Sequence, residues 1–200
     1  MRRWLLLFTA FLLAGGFSAA ASATPVAFIA TLSGPNESPP NSSLGTGFAE
    51  VDFDLAANTM RVQVSFSGLS GTTTASHIHC CTAIPFTGTA GVATTTPTFT
   101  GFPLGVTSGS YDHTFDMTLA SSYNPAFITA QGGSVTLAEL ALYNGLFTGN
   151  DYLNIHTNVV PGGEIRGFLV PAPEPASLTL LGGGLFAGWM ALRRRARRTA

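Results

Sequence analysis

Lysine is absent from this chain of 200 residues, and charge of either sign is scarce, with Asp, Glu and Arg together at 10%. Only Arg61 and Arg166 fall between Thr24 and Ala172; Arg2, Arg3, Arg193, Arg194, Arg195, Arg197 and Arg198 crowd into the two ends. The interior therefore holds nine acids against two arginines, a formal charge of −7 hidden beneath a net −1 for the whole chain. A domain so poor in cations has no electrostatic footprint for a phosphate backbone, which excludes nucleic acid as a partner. A hydrophobic share of 46% excludes a disordered acidic or basic tail, and the composition fits neither a collagen nor a coiled coil.

The two ends read as addresses. Arg2 and Arg3 precede an apolar run from Trp4 to Ala14, small residues follow, and Ala21-Ser22-Ala23 closes the stretch. This is the order of a secretory signal peptide over 1–23, with an A-x-A cleavage site at Ala21 and Ala23, so the mature chain begins near Thr24 outside the cytoplasm. At the other end Pro173-Glu174-Pro175 leads into an apolar run over 176–192 and then the arginine cluster. As a transmembrane helix that run spans about 25 Å, slightly less than the roughly 30 Å hydrocarbon core, with the arginines holding its C-terminus on the cytoplasmic side. These three ordered elements over 173–200 resemble the PEP-CTERM sorting signal of Gram-negative bacteria. The resemblance implies processing by an exosortase-type membrane protease, transient anchorage in the inner membrane, and a destination at the cell surface or in the extracellular matrix. A permanent single-span anchor is the alternative.

What remains, 24–172, is one domain of ordinary size, large enough to bury a core without help from disulfides. Its dominant period is two. Ala49 to Leu55 alternates apolar residues with three acids, Met60 to Phe66 alternates in the same way, and Ala57-Asn58 makes the pair a hairpin. Pro25–Ser33, Tyr111–Leu119, Asp151–Thr157 and Glu164–Val170 read as further strands, the last two joined by the Pro161-Gly162-Gly163 turn. The Thr-, Gly- and Pro-rich stretch from Thr82 to Ser110 reads as long surface loops. Only Thr136–Asn144 has helical spacing, with Thr136 and Glu139 as a capping box and Gly145 at the C-cap. Many short antiparallel strands with one short helix predict an all-β, antiparallel sandwich with Greek-key connections.

Three stretches carry the chemistry: Ser33-Gly34-Pro35-Asn36-Glu37-Ser38-Pro39-Pro40, Ala75-Ser76-His77-Ile78-His79, and Asn154-Ile155-His156-Thr157 running on to Pro161-Gly162-Gly163-Glu164-Ile165-Arg166-Gly167. With Gly68-Leu69 ahead of His77, this ordered set resembles the CHRD domain from Ala27 to Leu169. The resemblance implies an immunoglobulin-like β-sandwich and carries no established enzymatic activity.

On a strand, His77 and His79 share a face about 7 Å apart while Ile78 points the other way. His156 and Asn154 share a face of their own strand. Two readings follow. The histidines are polar struts, bonded to Glu164, Glu37 or loop carbonyls, and the protein is a non-catalytic binding or structural module without a cofactor, engaging extracellular polysaccharide or surface proteins. Alternatively His77, His79 and His156 bind Zn(II) or Cu(II), with redox activity as a further option. The sequence favours struts, because only four histidines are present and His113 alternates with core residues. Arg166, so rare a cation, is expected to pair with an acid and order the cluster, with Glu37, Asn154 and Glu164 in the same polar group. No G-x-S-x-G elbow is present, and Gly162-Gly163 reads as a turn, not a phosphate cradle, so an enzyme is not expected. Cys80 and Cys81 are adjacent in an exported chain, and three states stay open for them: a strained vicinal disulfide, which is preferred, two thiols, or soft ligands beside the histidines.

Overall fold

Alternating sequence becomes alternating burial in the first half of the domain. The computed structural model describes residues 24–173. The leader over 1–23, with Ala21 and Ala23, and the tail from Glu174 and Pro175 through 176–192 lie outside the described residues. Among the described residues no helix is long and apolar enough to cross a membrane.

Strands β1 (Val26–Ser33), β2 (Thr46–Asp54) and β3 (Thr59–Ser67) form an antiparallel meander. Ala49, Val51 and Phe53 of β2 and Met60, Val62, Val64 and Phe66 of β3 are buried, while Arg61 and Ser65 face water. The turn between them is set by Asp54, whose Oδ1 accepts from the N–H of Ala56 and of Ala57, both at 2.9 Å. Asn58 closes it at φ +52°, a conformation that asparagine tolerates.

β4 (Thr73–His79), β5 (Gly109–Asp116), β6 (Tyr152–Thr157), β7 (Ile165–Phe168) and the short β8 (Val170–Pro171) complete a mostly β fold. All eight strands join one curled antiparallel sheet in the order β4-β6-β7-β1-β2-β3-β5, with β8 also paired to β1. β7 meets β1 through the single pair Ser33 and Arg166, so the sheet comes close to dividing into two leaves there. One core draws on both leaves: Phe28, Val51, Met60 and Val62 from one, Ile78, Leu153, Ile155 and Ile165 from the other. Each such side chain contributes about 1.5–3 kcal/mol by leaving water.

Two helices pack on this core, where the sequence predicted one. α1 (Pro125–Ala130) starts at Asn124, whose Oδ1 accepts from Ala126 N–H at 3.0 Å, with Pro125 in the first turn. α2 (Val135–Thr148) is longer than the expected 136–144 at both ends. Ser134, not Thr136, supplies its cap, accepting from Leu137 N–H at 3.3 Å, and the chain leaves the helix at Gly149 with φ +71°. Gly145 lies inside the helix. Phe147 and Tyr143 of α2 meet Phe28 and Phe53 at centroid distances of 5.0 and 5.2 Å.

The expected loop region after β4 has a course of its own. It runs back along the outer edge of β4, where Ala93, Phe99 and Gly105 N–H donate to the carbonyls of Ile78, Ser76 and Thr73 at 3.0, 3.1 and 2.9 Å. That satisfies backbone groups an edge strand would otherwise offer to another chain. Phe99 and Phe102 anchor the segment in the core.

Candidate metal centre

The register of three neighbouring strands assembles the site. His77 stands opposite Asn154 and His79 opposite Tyr152 across β4 and β6, while Asn154 stands opposite Arg166 and Tyr152 opposite Phe168 across β6 and β7. Partners directly across an antiparallel ladder share a face, so His77, His79, His156, Asn154, Tyr152 and Arg166 line one side of this leaf. Ile78, Leu153, Ile155 and Ile165, all without exposure, line the other side, in the core. His77, His79, Asn154, Tyr152 and Arg166 are nevertheless buried, because chain around Asn36–Glu37, Gly88–Ala90 and Pro97 bonds over them. His156 is half-buried.

Each imidazole has one nitrogen tied to the backbone. His77 Nε2 donates to the Pro97 carbonyl at 2.7 Å, His79 Nδ1 to Ala90 at 2.9 Å and His156 Nδ1 to Pro161 at 2.8 Å. A carbonyl only accepts, so these contacts fix which nitrogen carries the proton. Burial pushes His77 down to about 4, against the Pro97 bond, and the His156 and His79 rings beside it act in the same direction as burial. Burial also lowers His79 and His156. At neutral pH all three rings are therefore uncharged, each with one lone pair to offer. His77 Nδ1 and His156 Nε2 are buried without a partner, and His79 Nε2 lies 3.1 Å from the Asn154 side chain. One ring nitrogen from each histidine lies within 4.8 Å of the other two.

Behind the histidines is a stack that sequence reading did not single out. The Tyr152 ring lies parallel to His79 at 4.7 Å, and the Arg166 guanidinium sits 4.7 Å over Tyr152. Tyr152 was legible, since it falls two and four residues before Asn154 and His156 and so shares their face. Arg166 Nε donates to the Asn36 carbonyl and Nη1 to Gly88 at 3.0 Å, with Glu37 Oε2 at 3.7 Å. Arg166 thus stands beside an acid, Glu37, behind the cluster. Burial raises Glu37 to about 7 despite the nearby guanidinium.

Other expected members lie elsewhere. Glu164 turns away to bond Ser43, Ser70, Gly71 and Thr157 and touches none of the histidines. His113, on β5, stands half-buried between Tyr111 and Phe115, apart from the cluster. Cys80 and Cys81 form a disulfide with each other, which leaves neither as a thiolate ligand. Pro173, the first residue of the Pro-Glu-Pro motif, is exposed at the end of the described chain.

The chain is thus an antiparallel β domain that carries a three-histidine cluster on one leaf of its sheet. It belongs to the CHRD domain family, whose model matches residues 28–169. Residues 171–195 match the PEP-CTERM protein-sorting motif, which marks an exported, surface-sorted protein of Gram-negative bacteria processed by an exosortase-type membrane enzyme. No curated protein and no solved structure matches the chain.

Proposed function

We propose that the exported domain is a metal-binding module that holds one Zn(II) or Cu(II) ion through His77, His79 and His156. The observation that carries this reading is the division of labour within each ring. One nitrogen is oriented by a backbone carbonyl, which is how a ligating imidazole is held, and in His77 and His156 the other is buried without a partner. Struts alone would account for the three carbonyl bonds. They would leave two buried nitrogens unsatisfied, at a cost of about 1–3 kcal/mol each. Neutral imidazoles suit zinc and copper. The bound ion supplies a fixed positive charge and a cross-link between β4 and β6. The Ala90 carbonyl and the Tyr152 ring hold His79, Arg166 with Glu37 holds Tyr152, and the ion takes the place of Asn154 at His79 Nε2.

Metal analysis of the purified protein after dialysis against Zn(II) or Cu(II) is expected to give one equivalent per chain in the wild type and none in a His79→Ala, His156→Ala double variant. Less than a tenth of an equivalent in the wild type with either ion would overturn the reading.

The role we assign is binding and structural, not enzymatic, at the cell surface or in the exopolysaccharide matrix. Two leaves around one core support an immunoglobulin-like sandwich as the finer description of the fold. Extracellular polysaccharide or other surface proteins are the partners in this reading, and the chain is held in the inner membrane before its tail is removed. Replacing Glu174 by Ala is expected to leave an uncleaved, membrane-held form, because the arginine cluster anchors the tail while the altered motif escapes the protease. Intact mass of the wild-type surface form decides this, since a chain still ending at Ala200 would mean a permanent anchor.

A further inference from the structure

Away from the histidine face, the Cys80–Cys81 disulfide has an unusual neighbour. Asp151 has no exposure, and neither of its carboxyl oxygens has a hydrogen-bond partner. One of those oxygens and both sulfurs lie within 4.8 Å of one another. Cys80 is buried and Cys81 is exposed, so an approaching reagent meets Cys81 first. The fold makes room for this carboxyl: Gly145, within α2, packs against it, and a Cβ at that position would overlap the Asp151 oxygens. A helix-interior glycine costs about 1 kcal/mol relative to alanine, and a buried carboxyl without partners costs more. Both costs act against stability, and neither group bonds to anything that repays them. The sulfurs also lie 3.7 and 3.8 Å from the Ala141 carbonyl oxygen, an acceptor that a disulfide has no proton to use and a thiol does. The site is therefore furnished for the reduced state as well as the oxidised one.

We propose that Cys80–Cys81 is a thiol–disulfide exchange centre in which Asp151 protonates the departing Cys80 sulfur. The co-reactant is a thiol, carried on a small molecule or on a partner protein. Its thiolate attacks Cys81 Sγ, so that a bond between the incoming sulfur and Cys81 forms as the Cys80–Cys81 bond breaks. The electron pair stays on Cys80 Sγ, which takes the Asp151 proton and becomes a thiol bonded to the Ala141 carbonyl. A second thiolate attacks the incoming sulfur of the mixed disulfide and releases the oxidised reagent. Cys81 and Asp151 then each take a proton from water. In sum, two thiols are oxidised to a disulfide and the protein disulfide is reduced to two thiols. Burial pushes Asp151 up to about 9, so the carboxyl keeps its proton at neutral pH, where an exposed aspartate has lost it. This centre stands independently of the metal reading.

The test uses the exported protein, dithiothreitol as the thiol, and labelling of thiols without denaturant. Before reduction no label is expected. Dithiothreitol is expected to expose one labelled thiol, that of Cys81, in the folded wild type and a second, that of Cys80, only when the reduced protein is then denatured, and Asp151→Asn, nearly the same shape but with no acidic proton to give, to slow the appearance of the first about 100-fold. The infrared spectrum of the oxidised wild type at neutral pH is expected to show a protonated-carboxyl stretch that Asp151→Asn lacks. Equal reduction rates in the two proteins, a disulfide that reacts only after unfolding, or absence of that band would each overturn the proposal. Should Asp151→Asn fail to fold, the wild-type spectrum at pH 8 decides, since Glu37, raised to about 7, has then lost its proton while Asp151, raised to about 9, keeps its own.

Discussion

Stripping metal from the wild-type protein with a chelator is expected to lower its melting temperature by about 5–10 °C, and the same treatment is expected to leave His79→Ala unmoved. The size follows from mass action. An ion bound only by the folded state at a hundredfold excess over its dissociation constant stabilises by about 2.7 kcal/mol, and a domain of this length shifts by about 2–4 °C per kcal/mol. Without metal, His79→Ala is itself expected to melt below the wild type, because the Ala90 carbonyl and the Asn154 side chain lose their partner. His113→Ala, outside the cluster, is expected to keep the full chelator response. The pH dependence has a definite sign. His77 titrates near 4 in the folded protein against 6.5 for a free imidazole, so between those values the unfolded chain binds more protons. The metal-free fold therefore loses stability as pH falls from 6.5 to 4, while metal binding, opposed by protons that the folded rings resist, extends below pH 6.5. A wild-type melting curve indifferent to both metal and chelator would return the histidines to the role of struts.

Glu164→Ala is expected to cost on the order of 3–5 kcal/mol, a fall in melting temperature of about 10 °C or more, without touching the histidine cluster. Its carboxylate, fully buried, is the meeting point of segments that share little else. Oε1 accepts from Ser43 Oγ at 2.7 Å and from the Ser70 hydroxyl at 2.9 Å as well as the Ser70 N–H, and Oε2 accepts from Thr157 Oγ1 at 2.6 Å and Gly71 N–H at 3.2 Å. Truncation leaves the Thr157 hydroxyl and the Gly71 N–H buried and unpaired and takes the shared acceptor from Ser43, which is half-buried, and from Ser70, which is exposed. Burial alone would raise the pKa, but the bonds from Ser43, Thr157 and Ser70 outweigh it and bring Glu164 down to about 2. A folded value below the free value of 4.5 means that the contribution is complete above 4.5 and is lost as pH falls toward 2. Thermal melts at neutral pH and at pH 3 measure both effects: the gap between wild type and Glu164→Ala is expected to narrow in acid. A loss under about 1 kcal/mol at neutral pH would show that the network is dispensable. As a contrast, Asp112→Ala, which removes the exposed Arg61 pair, is expected to leave stability near that of the wild type.

The residues that could be read from sequence are those whose neighbours are fixed by period. The β2–β3 hairpin follows from alternation and one turn, and so does the shared face of His77 and His79. His156, Asn154 and Arg166 joined that face because β4, β6 and β7 happen to be adjacent, which alternation within single strands does not reveal. α1 stayed hidden because six residues are too few to show a 3.6-residue period. Spacing of two residues suggested that Glu164 lies beside Arg166, yet Glu164 precedes β7 and turns away, because its donors are Thr157 at the end of β6 and Ser43, Ser70 and Gly71 in loops more than 90 residues earlier. In the sequence Asp151 is only the first residue of the expected Asp151–Thr157 strand. Only the packing of α2 against it, through Gly145, makes it a fully enclosed acid.

The placement of the two interior arginines bears on survival outside the cell. A trypsin-type protease cuts after Lys or Arg in chain that can be drawn out into its cleft, and such chain is found at exposed loop tips. Between Thr24 and Ala172 lysine is lacking, Arg166 is 4% exposed, and Arg61 sits mid-strand in β3 with β2 on one side and β5 on the other. Every long loop of the folded domain, the whole course from Cys80 to Ser108 included, is thus free of such cleavage points. A surface-exposed domain built this way withstands trypsin for as long as it stays folded, and its digestion rate reports the opening of β3.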